Sequence, residues 1–510
     1  MSMIKRCKPL LAKVANFAEI NVDFLATESH AFHFDMPPTV CWRSLYGRCV
    51  GASEVSVRIA EKLVTVCATM NEFPHVRYHQ SSAACTEIGA VFHEKMNAFI
   101  ADNAEWWYYG GQGHAERERG TLILCDRKDD PLSPIIHEFT YQAMCQDLLP
   151  MEEDKISYKP DGKPDDKDVG GEGLKDVLLN DNDELWKELR GGHIADVITT
   201  LSARIRNFVS TNSGAALAKD AGADMSLSEM SAALKNLPEY KETMAKLSQH
   251  MHLSHMCMDE FNRKNLMEIS ELEQTMSTGT DAEGKSLKVK ELVDDLIDAV
   301  AGIGTREMAV RLIMIYIISQ QGIKPEDRKR LFDAAGLTED EQDTILGLEK
   351  IGVTLQSAPP KKSVFSTSSM FKRSEKLATG RSDKDSVYAM SRYSTAMKGL
   401  LEDVQNGKLS EAEYPSIMPL PVTSDNNGAS VRSARRGGGK ATESRWGTKA
   451  ETGKKKFTGG RQIVFVVGGV CYSEIRTAYE SMKEGSKEVV IGGTSYVNAG
   501  DFMAGLNALR

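Results

Sequence analysis

The sequence predicts a discontinuous α/β domain with a parallel-type sheet, interrupted by a large, mostly α-helical inserted domain that contains a long helical hairpin. Three observations carry this. Thr121 to Cys125 (TLILC) is a short, β-favouring, mostly apolar run bounded by turn residues, the pattern of a strand buried on both faces. Ile463 to Val467 (IVFVV) is a second, more apolar run of the same kind. Between them, from Leu174 onward, apolar residues recur almost throughout at helical spacing. Buried strands need neighbours, so both runs are placed in one sheet, with roughly 300 residues inserted between them.

Each strand leads into a helix signal. After Cys125, the residues Asp126, Asp129, Asp130 and Pro131 form a turn. Ser133 is a good N-cap and Pro134 suits a first helical position, which predicts a helix carrying Ile135, Ile136, Phe139, Ala143 and Leu148 on one side. After Val467, Gly468-Gly469 turns the chain and Ser473 opens a helix.

The remaining elements follow in chain order. Ile4 to Phe17 reads as a helix and Ile20 to Leu25 as a strand. Glu54 to Phe73 is an amphipathic helix ended by Pro74, with Ile59, Leu63, Val66, Met70 and Phe73 on one face and Cys67 as a small core residue. Thr86 to Ile100 is another helix. Trp106 to Tyr109 is a linker whose aromatics cover a sheet edge. Met151 to Gly173 is polar, acidic and Gly-rich, an exposed loop or domain boundary. Asp183 to Leu189 and His193 to Val209 are helices, and Thr211 to Asp224 is a loop. Ser226 and Glu229 form a capping box for a short helix that Pro238 interrupts after Leu237. From Tyr240 to Met276 one stripe runs through Met244, Leu247, Met251, Met258, Phe261, Ile269 and Leu272, a helix of about 55 Å. A helix that long needs an antiparallel partner or another protein, and its methionines make an adaptable surface. Short helices at 291–300, 305–321 and 325–335 follow, then a Ser/Lys/Pro-rich linker at 359–384, a helix at 387–404 and an extended stretch at 415–421. Arg432 to Arg461 is basic, Gly-rich and short of core-forming residues, which reads as a disordered, solvated loop, with contact to anionic lipid as the alternative. The implied division is 21–165 with 457–510 for the α/β domain and 166–456 for the insert, with the hairpin at about 226–276 and the basic loop at about 422–461.

Composition excludes several classes. The 510 residues are 41% hydrophobic and 26% charged, with a net charge of −9, which argues against a general polyanion binder. Nine cysteines without a C-x-x-C pair read as reduced thiols. The longest apolar run, Leu312 to Ile318, is far too short to cross a bilayer, so membrane contact is expected only peripherally, through partners. Nucleic-acid binding lacks the aromatics that a basic face would need.

Catalytic chemistry finds little support. Asp126, Asp129 and Asp130 stand at the carboxyl end of a strand, where α/β enzymes place their sites, and a Mg-dependent phosphoryl hydrolase is the alternative reading. Arg127 and Lys128 intervene, however, and the spacing fits no phosphate-binding motif. Cys471 near a helix start is a place for a lowered thiol pKa, without a partner base in sequence. His250, His252 and His255 are crowded but do not share a metal-binding face. No cofactor is expected. The residues alone describe a scaffold or binding protein.

Several segments, in order, resemble the SM family, the syntaxin-binding proteins of the Unc-eighteen/Sec-one type. They are Leu122 to Leu149 (with DRKDDPLSP and HEFTYQAM), Leu185 to Val197 (LWKELRGGHIADV), Leu237 to Met258, Gly279 to Gly284 (GTDAEG) and Ile463 to Tyr479. The style is that of the exocytic, plasma-membrane subgroup. The resemblance implies a non-catalytic regulator of vesicle docking and membrane fusion that binds a syntaxin-type SNARE and, as a second partner, a vesicle SNARE. It implies a cytoplasmic protein, peripheral at the plasma membrane or on secretory vesicles. It further implies that residues 1–20 are the remnant of a first α/β domain, whose loss impairs binding of closed syntaxin. By position, the resemblance assigns SNARE contact to the hairpin residues Glu229, Lys235, Pro238, Glu239, Tyr240, Met244, Leu247 and Met251. There, Pro238 either bends the hairpin back or lets the helix extend, exposing the Met/Leu stripe to a partner helix.

Overall fold

The computed structural model describes residues 22–47, 52–111, 117–159, 175–220, 227–285, 289–357, 381–382, 388–418 and 457–510. The predicted N-terminal helix, residues 1–20, Ser226 and the basic loop before 457 lie outside these.

In chain order the platform begins with β1 (Leu25–Glu28), β2 (Ala31–His33), α1 (Pro38–Tyr46), α2 (Ala52–Thr69), β3 (His75–Tyr78), α3 (Ala83–Asp102), β4 (Thr121–Asp126) and α4 (Tyr141–Leu148). A small sheet follows, β5 (Met151–Glu152), β6 (Lys155–Tyr158) and β7 (Lys175–Leu178). The helical arm comprises α5 (Glu184–Leu189), α6 (Ile194–Asp220), α7 (Leu227–Arg263), α8 (Leu266–Thr278), α9 (Val289–Gly302), α10 (Arg306–Ser319), α11 (Pro325–Ala334) and α12 (Glu339–Leu346). A two-residue ladder, β8 (Arg381–Ser382) with β9 (Tyr393–Ser394), precedes α13 (Ala396–Gln405). The chain returns to the platform as β10 (Gln462–Val467), α14 (Tyr472–Glu484), β11 (Val489–Gly493) and α15 (Ala499–Asn507).

The two runs that predicted the platform are neighbours. β10 lies parallel to β4 in a six-residue register, from Gln462 opposite Thr121 to Val467 opposite Asp126. The main sheet has the order β1-β2-β11-β10-β4-β3, all parallel except the β1–β2 pair. The period-two geometry of strands explains why these runs are apolar without interruption. Leu122, Leu124, Ile463 and Phe465 face a core shared with Trp42, Leu63, Phe92 and Phe502. Ile123, Cys125, Val464 and Val466 face the opposite core, with Leu401, Val404, Ile475 and Ala478 of α13 and α14. The β3 edge is covered by the predicted extended stretch: Ile417 N–H donates to the Val76 carbonyl at 3.0 Å and Ser416 bridges Arg77.

In the arm, α10 is buried on every side from Met308 to Ser319, as an all-apolar helix requires. Its one buried cation, Arg311, donates to both oxygens of Asp147 at 3.0 and 2.9 Å, tying the arm to the platform helix α4. α6 and α7 pack side by side as the two arms of a hairpin, and at 37 residues α7 is about 55 Å long.

Several expectations are corrected. Ser133 and Pro134 do not open a helix, because Asp130 takes both the Ser133 amide and hydroxyl. Phe139 to Tyr141 are instead drawn into backbone bonds with Gly192 and Ile194, and α4 starts only at Tyr141. The first strand falls at Leu25–Glu28, later than read. The stretch 151–173, read as loop, contains β5 and β6. The segment from Thr211, read as a loop, continues α6 to Asp220, so the hairpin begins with α6, ahead of the 226–276 read for it. Pro238 lies inside α7 instead of ending a short helix. The long stripe does not stay in one helix to Met276: Asn265 adopts φ 50°, breaks the rod, and α8 starts at Leu266. The helix read at 387–404 is confined to Ala396–Gln405, because the residues before it form a turn at Tyr388–Ser391 and the short strand Tyr393–Ser394, tied by side chains to Asp196, Gln274 and Thr280.

Candidate partner-binding cleft

The carboxyl ends of the strands, where an α/β enzyme would react, are filled. Asp126 is buried at the base of a packed loop, accepting from the Tyr46 hydroxyl at 2.8 Å, the Ser82 hydroxyl at 2.5 Å and the Lys128 amide at 3.1 Å. Asp130 accepts from Ser133 and, at 3.0 Å, from the amide of Ala396. Arg127 makes a two-pronged, fully buried pair with Glu474, both bonds 2.8 Å. Burial works against the Arg127 charge, but the Glu474 carboxylate outweighs it and holds the guanidinium above its ordinary range. The Gly468-Gly469 turn needs φ of 94° and 107°, and a side chain at Gly468 would strike the Tyr46 hydroxyl. Burial pushes the Cys471 thiol well up, opposite to the reactive thiol considered from sequence. Among the described residues no cluster has the makings of a metal site. The strand-end aspartates organise the turn, and nothing supports the hydrolase alternative.

The open concavity lies at the root of the hairpin. A cleft of about 630 Å³ separates α5, α6 and α7. Leu185, Phe208 and Leu247 supply its apolar lining, with Glu184, Glu188, Arg204 and Lys246 at its polar margin, where Arg204 pairs with Glu188. Asp183 builds this root. Its Oδ1 caps α5 by accepting the amides of Leu185 and Trp186 at 2.9 and 3.1 Å. Its Oδ2 meets His250 Nε2 of α7 at 3.1 Å, and the other ring nitrogen of His250 meets the Tyr141 hydroxyl at 3.0 Å. Burial acts to raise the Asp183 pKa, but the His250 bond and the two helix amides overcome it and lower it to about 2. His250 is wholly buried between these partners, His252 stacks on Tyr158, and His255 is exposed, so the three histidines form no common site.

The residues assigned by position divide clearly. Leu247 lines the cleft, and Met244 and Met251 are half-buried one turn to either side, partly open to a partner. Glu229, Lys235, Pro238, Glu239 and Tyr240 lie on the α7 backbone, while their side chains fall outside the described residues. Sequence reasoning missed Leu185, Glu188, Arg204 and Phe208. Ending α6 near Val209 denied α7 its true neighbour. The available signal was the apolar spacing of Leu201, Ile205 and Phe208, which marks one face of α6 for a neighbour.

Comparison with known proteins bears on this arrangement. The pattern of the Sec1 family matches residues 2–505. The chain is 33% identical over 486 residues to the "Protein transport protein sec1" of Dictyostelium discoideum, covering 95% of this chain and 76% of that protein. It is 26% identical over 542 residues to the "SNARE-interacting protein KEULE" of Arabidopsis thaliana, covering 99% and 78%. Its fold resembles the Unc18 chain of the Unc18–syntaxin 1 complex from Monosiga brevicollis, with TM-score 0.71 and 23% identity over 100% of this chain and 80% of that one. It also resembles the SM protein Vps45 solved in complex with the Qa SNARE Tlg2, with TM-score 0.68 and 19% identity over 96% and 76%. A match that spans nearly the whole polypeptide, joined to a third of positions shared with a relative aligned along 95% of it, places this chain in the Sec1 family.

Proposed function

We propose that this protein is a non-catalytic, SNARE-binding regulator of vesicle docking and membrane fusion, acting in exocytosis. It binds a syntaxin-type SNARE and, as a second partner, a vesicle SNARE, through the α6–α7 hairpin. The observation that carries this reading is the open cleft at the hairpin root, with Leu247 in its lining and Met244 and Met251 beside it. An amphipathic partner helix seats apolar anchors against such a surface at i, i+3, i+4 spacing. Family membership and the SNARE-interacting relative support it. The packed strand-end loop supports a binding role rather than a catalytic one.

The contact set is Glu229, Lys235, Pro238, Glu239, Tyr240, Met244, Leu247 and Met251. The reading divides the chain into a platform of 21–165 with 457–510 and an arm of 166–456, and places it in the cytoplasm, reaching membranes through its partners. No helix among the described residues is long and apolar enough to cross a membrane. A pull-down with cytoplasmic SNARE domains tests the assignment. Tyr240→Ala and Met244→Asp are expected to reduce capture at least tenfold, and undiminished capture by both would remove the hairpin as the site.

A further inference from the structure

A second concavity lies where the chain leaves the platform for the arm and where it comes back. It measures about 280 Å³. The outgoing crossing contributes Thr140, Gly191 and His193, and the returning crossing contributes Tyr388, Ser391 and Lys398. The floor comes from platform helix α14, through Arg476, Thr477 and Glu480. Both crossings are thus walls of a single chamber.

One wall holds a donor with no acceptor. His193 Nδ1 accepts the Ala195 amide at 3.3 Å, so in the neutral ring the proton resides on Nε2. Burial lowers the His193 pKa, which keeps the ring neutral near pH 7. That Nε2 is buried and has no hydrogen-bond partner among the described residues. The ring itself is held, stacked on Tyr388 at 3.6 Å between centroids, while the Tyr388 hydroxyl donates to Asp196 at 2.6 Å. A buried N–H that finds no protein acceptor is the mark of a missing water or ligand oxygen.

The remaining lining sets the ligand class. Arg476 donates to Glu138 at 2.6 Å and to Glu480 at 2.7 Å, so its charge is engaged by two carboxylates of the chamber. With Arg476 spent on Glu138 and Glu480, an anionic ligand gains no net attraction from these groups. The Thr140 hydroxyl donates to Glu138 at 2.8 Å and is left to accept, while the Ser391 and Ser394 hydroxyls each both donate and accept. Groups of this kind match a ligand whose own oxygens do the same. Just below the volumes usual for ligand pockets, the chamber suits a single ring.

We propose that this junction cavity binds a small, neutral, polyhydroxylated ligand of monosaccharide or cyclitol size, which accepts a hydrogen bond from His193 and bridges platform and arm. Because both crossings touch the ligand, its occupancy holds the arm against the platform. This site is separate from the SNARE-binding reading and does not depend on it.

The test uses the whole chain, with myo-inositol and glucose as probes and inorganic phosphate as the charged comparison. Saturation-transfer NMR reads binding, and hydrogen exchange reads residues 191–194 and 388–396. Saturable binding of either polyol is expected, with slowed exchange in both stretches. His193→Phe, which keeps the stacked ring and removes the N–H, is expected to weaken it at least tenfold, and Lys398→Met serves if that variant does not fold. Absence of saturable polyol binding would overturn the proposal. So would preference for phosphate, or polyol binding that both variants leave unchanged.

Discussion

Arg127 and Glu474 show how little a residue's type says about its use. In sequence, Arg127 was one of two cations interrupting an aspartate cluster at a strand end and arguing against a metal site. In the fold it is a fully buried strut between β4 and α14. Removing one partner strands the other charge, so Arg127→Met is expected to cost about 3–5 kcal/mol in urea unfolding. The double change Arg127→Met with Glu474→Met should cost clearly less, since no charge is left unpaired. The aspartates themselves were legible and their roles were not, because Asp126 is satisfied by Tyr46 and Ser82 and Asp130 by Ala396, all far away in the chain. Asp183 gives a pH prediction. Its folded pKa, about 2, lies below its ordinary 3.8, so the stability that it contributes is present above about pH 4 and is lost as pH falls toward 2. Asp183→Asn should flatten that part of an acid-unfolding profile, and an unchanged profile would deny Asp183 its anchoring role.

At the scale of elements, α7 carries the argument. Its stripe was readable because Leu247 and Phe261 fall on the buried side, with Met251 and Met258 half-buried between them. Its neighbour was not, because Ser210, Thr211, Asn212, Ser213 and Gly214 favour caps and turns locally, yet α6 runs on through them to Asp220. Pro238 likewise deprives α7 of one backbone hydrogen bond without ending it. Pro238→Ala is therefore expected to stabilise the helix by up to about 3 kcal/mol, seen as slower amide exchange around residues 234–242. Leu247 and Met244 should separate packing from binding. Leu247→Ala should lower stability by about 2–5 kcal/mol, whereas half-buried Met244→Ala should lower it much less while still weakening partner capture.

For the molecule as a whole, the platform was the most legible part. Two fully apolar runs can be buried on both faces only inside a covered sheet, and the register of β4 with β10 meets that demand. The small sheet β5-β6-β7 was hidden, since Lys155 to Tyr158 and Lys175 to Leu178 are half polar and become strands only by pairing with each other. The consequence of the platform is mechanical. A tail strand that returns to β4 fixes both ends of a long helical arm, and Arg311, Glu273 and Arg392 add side-chain ties that hold α10 to α4, α8 to His137, and the returning strand to α8. The arm can then present the cleft between α5, α6 and α7 at a defined place. Hydrogen–deuterium exchange of the full chain, with and without a syntaxin-type SNARE cytoplasmic domain, tests this most directly. The account predicts slowed exchange confined to residues 182–188, 204–208 and 229–251, and a footprint on the strand-end loop at 126–133, with the cleft unaffected, would contradict it.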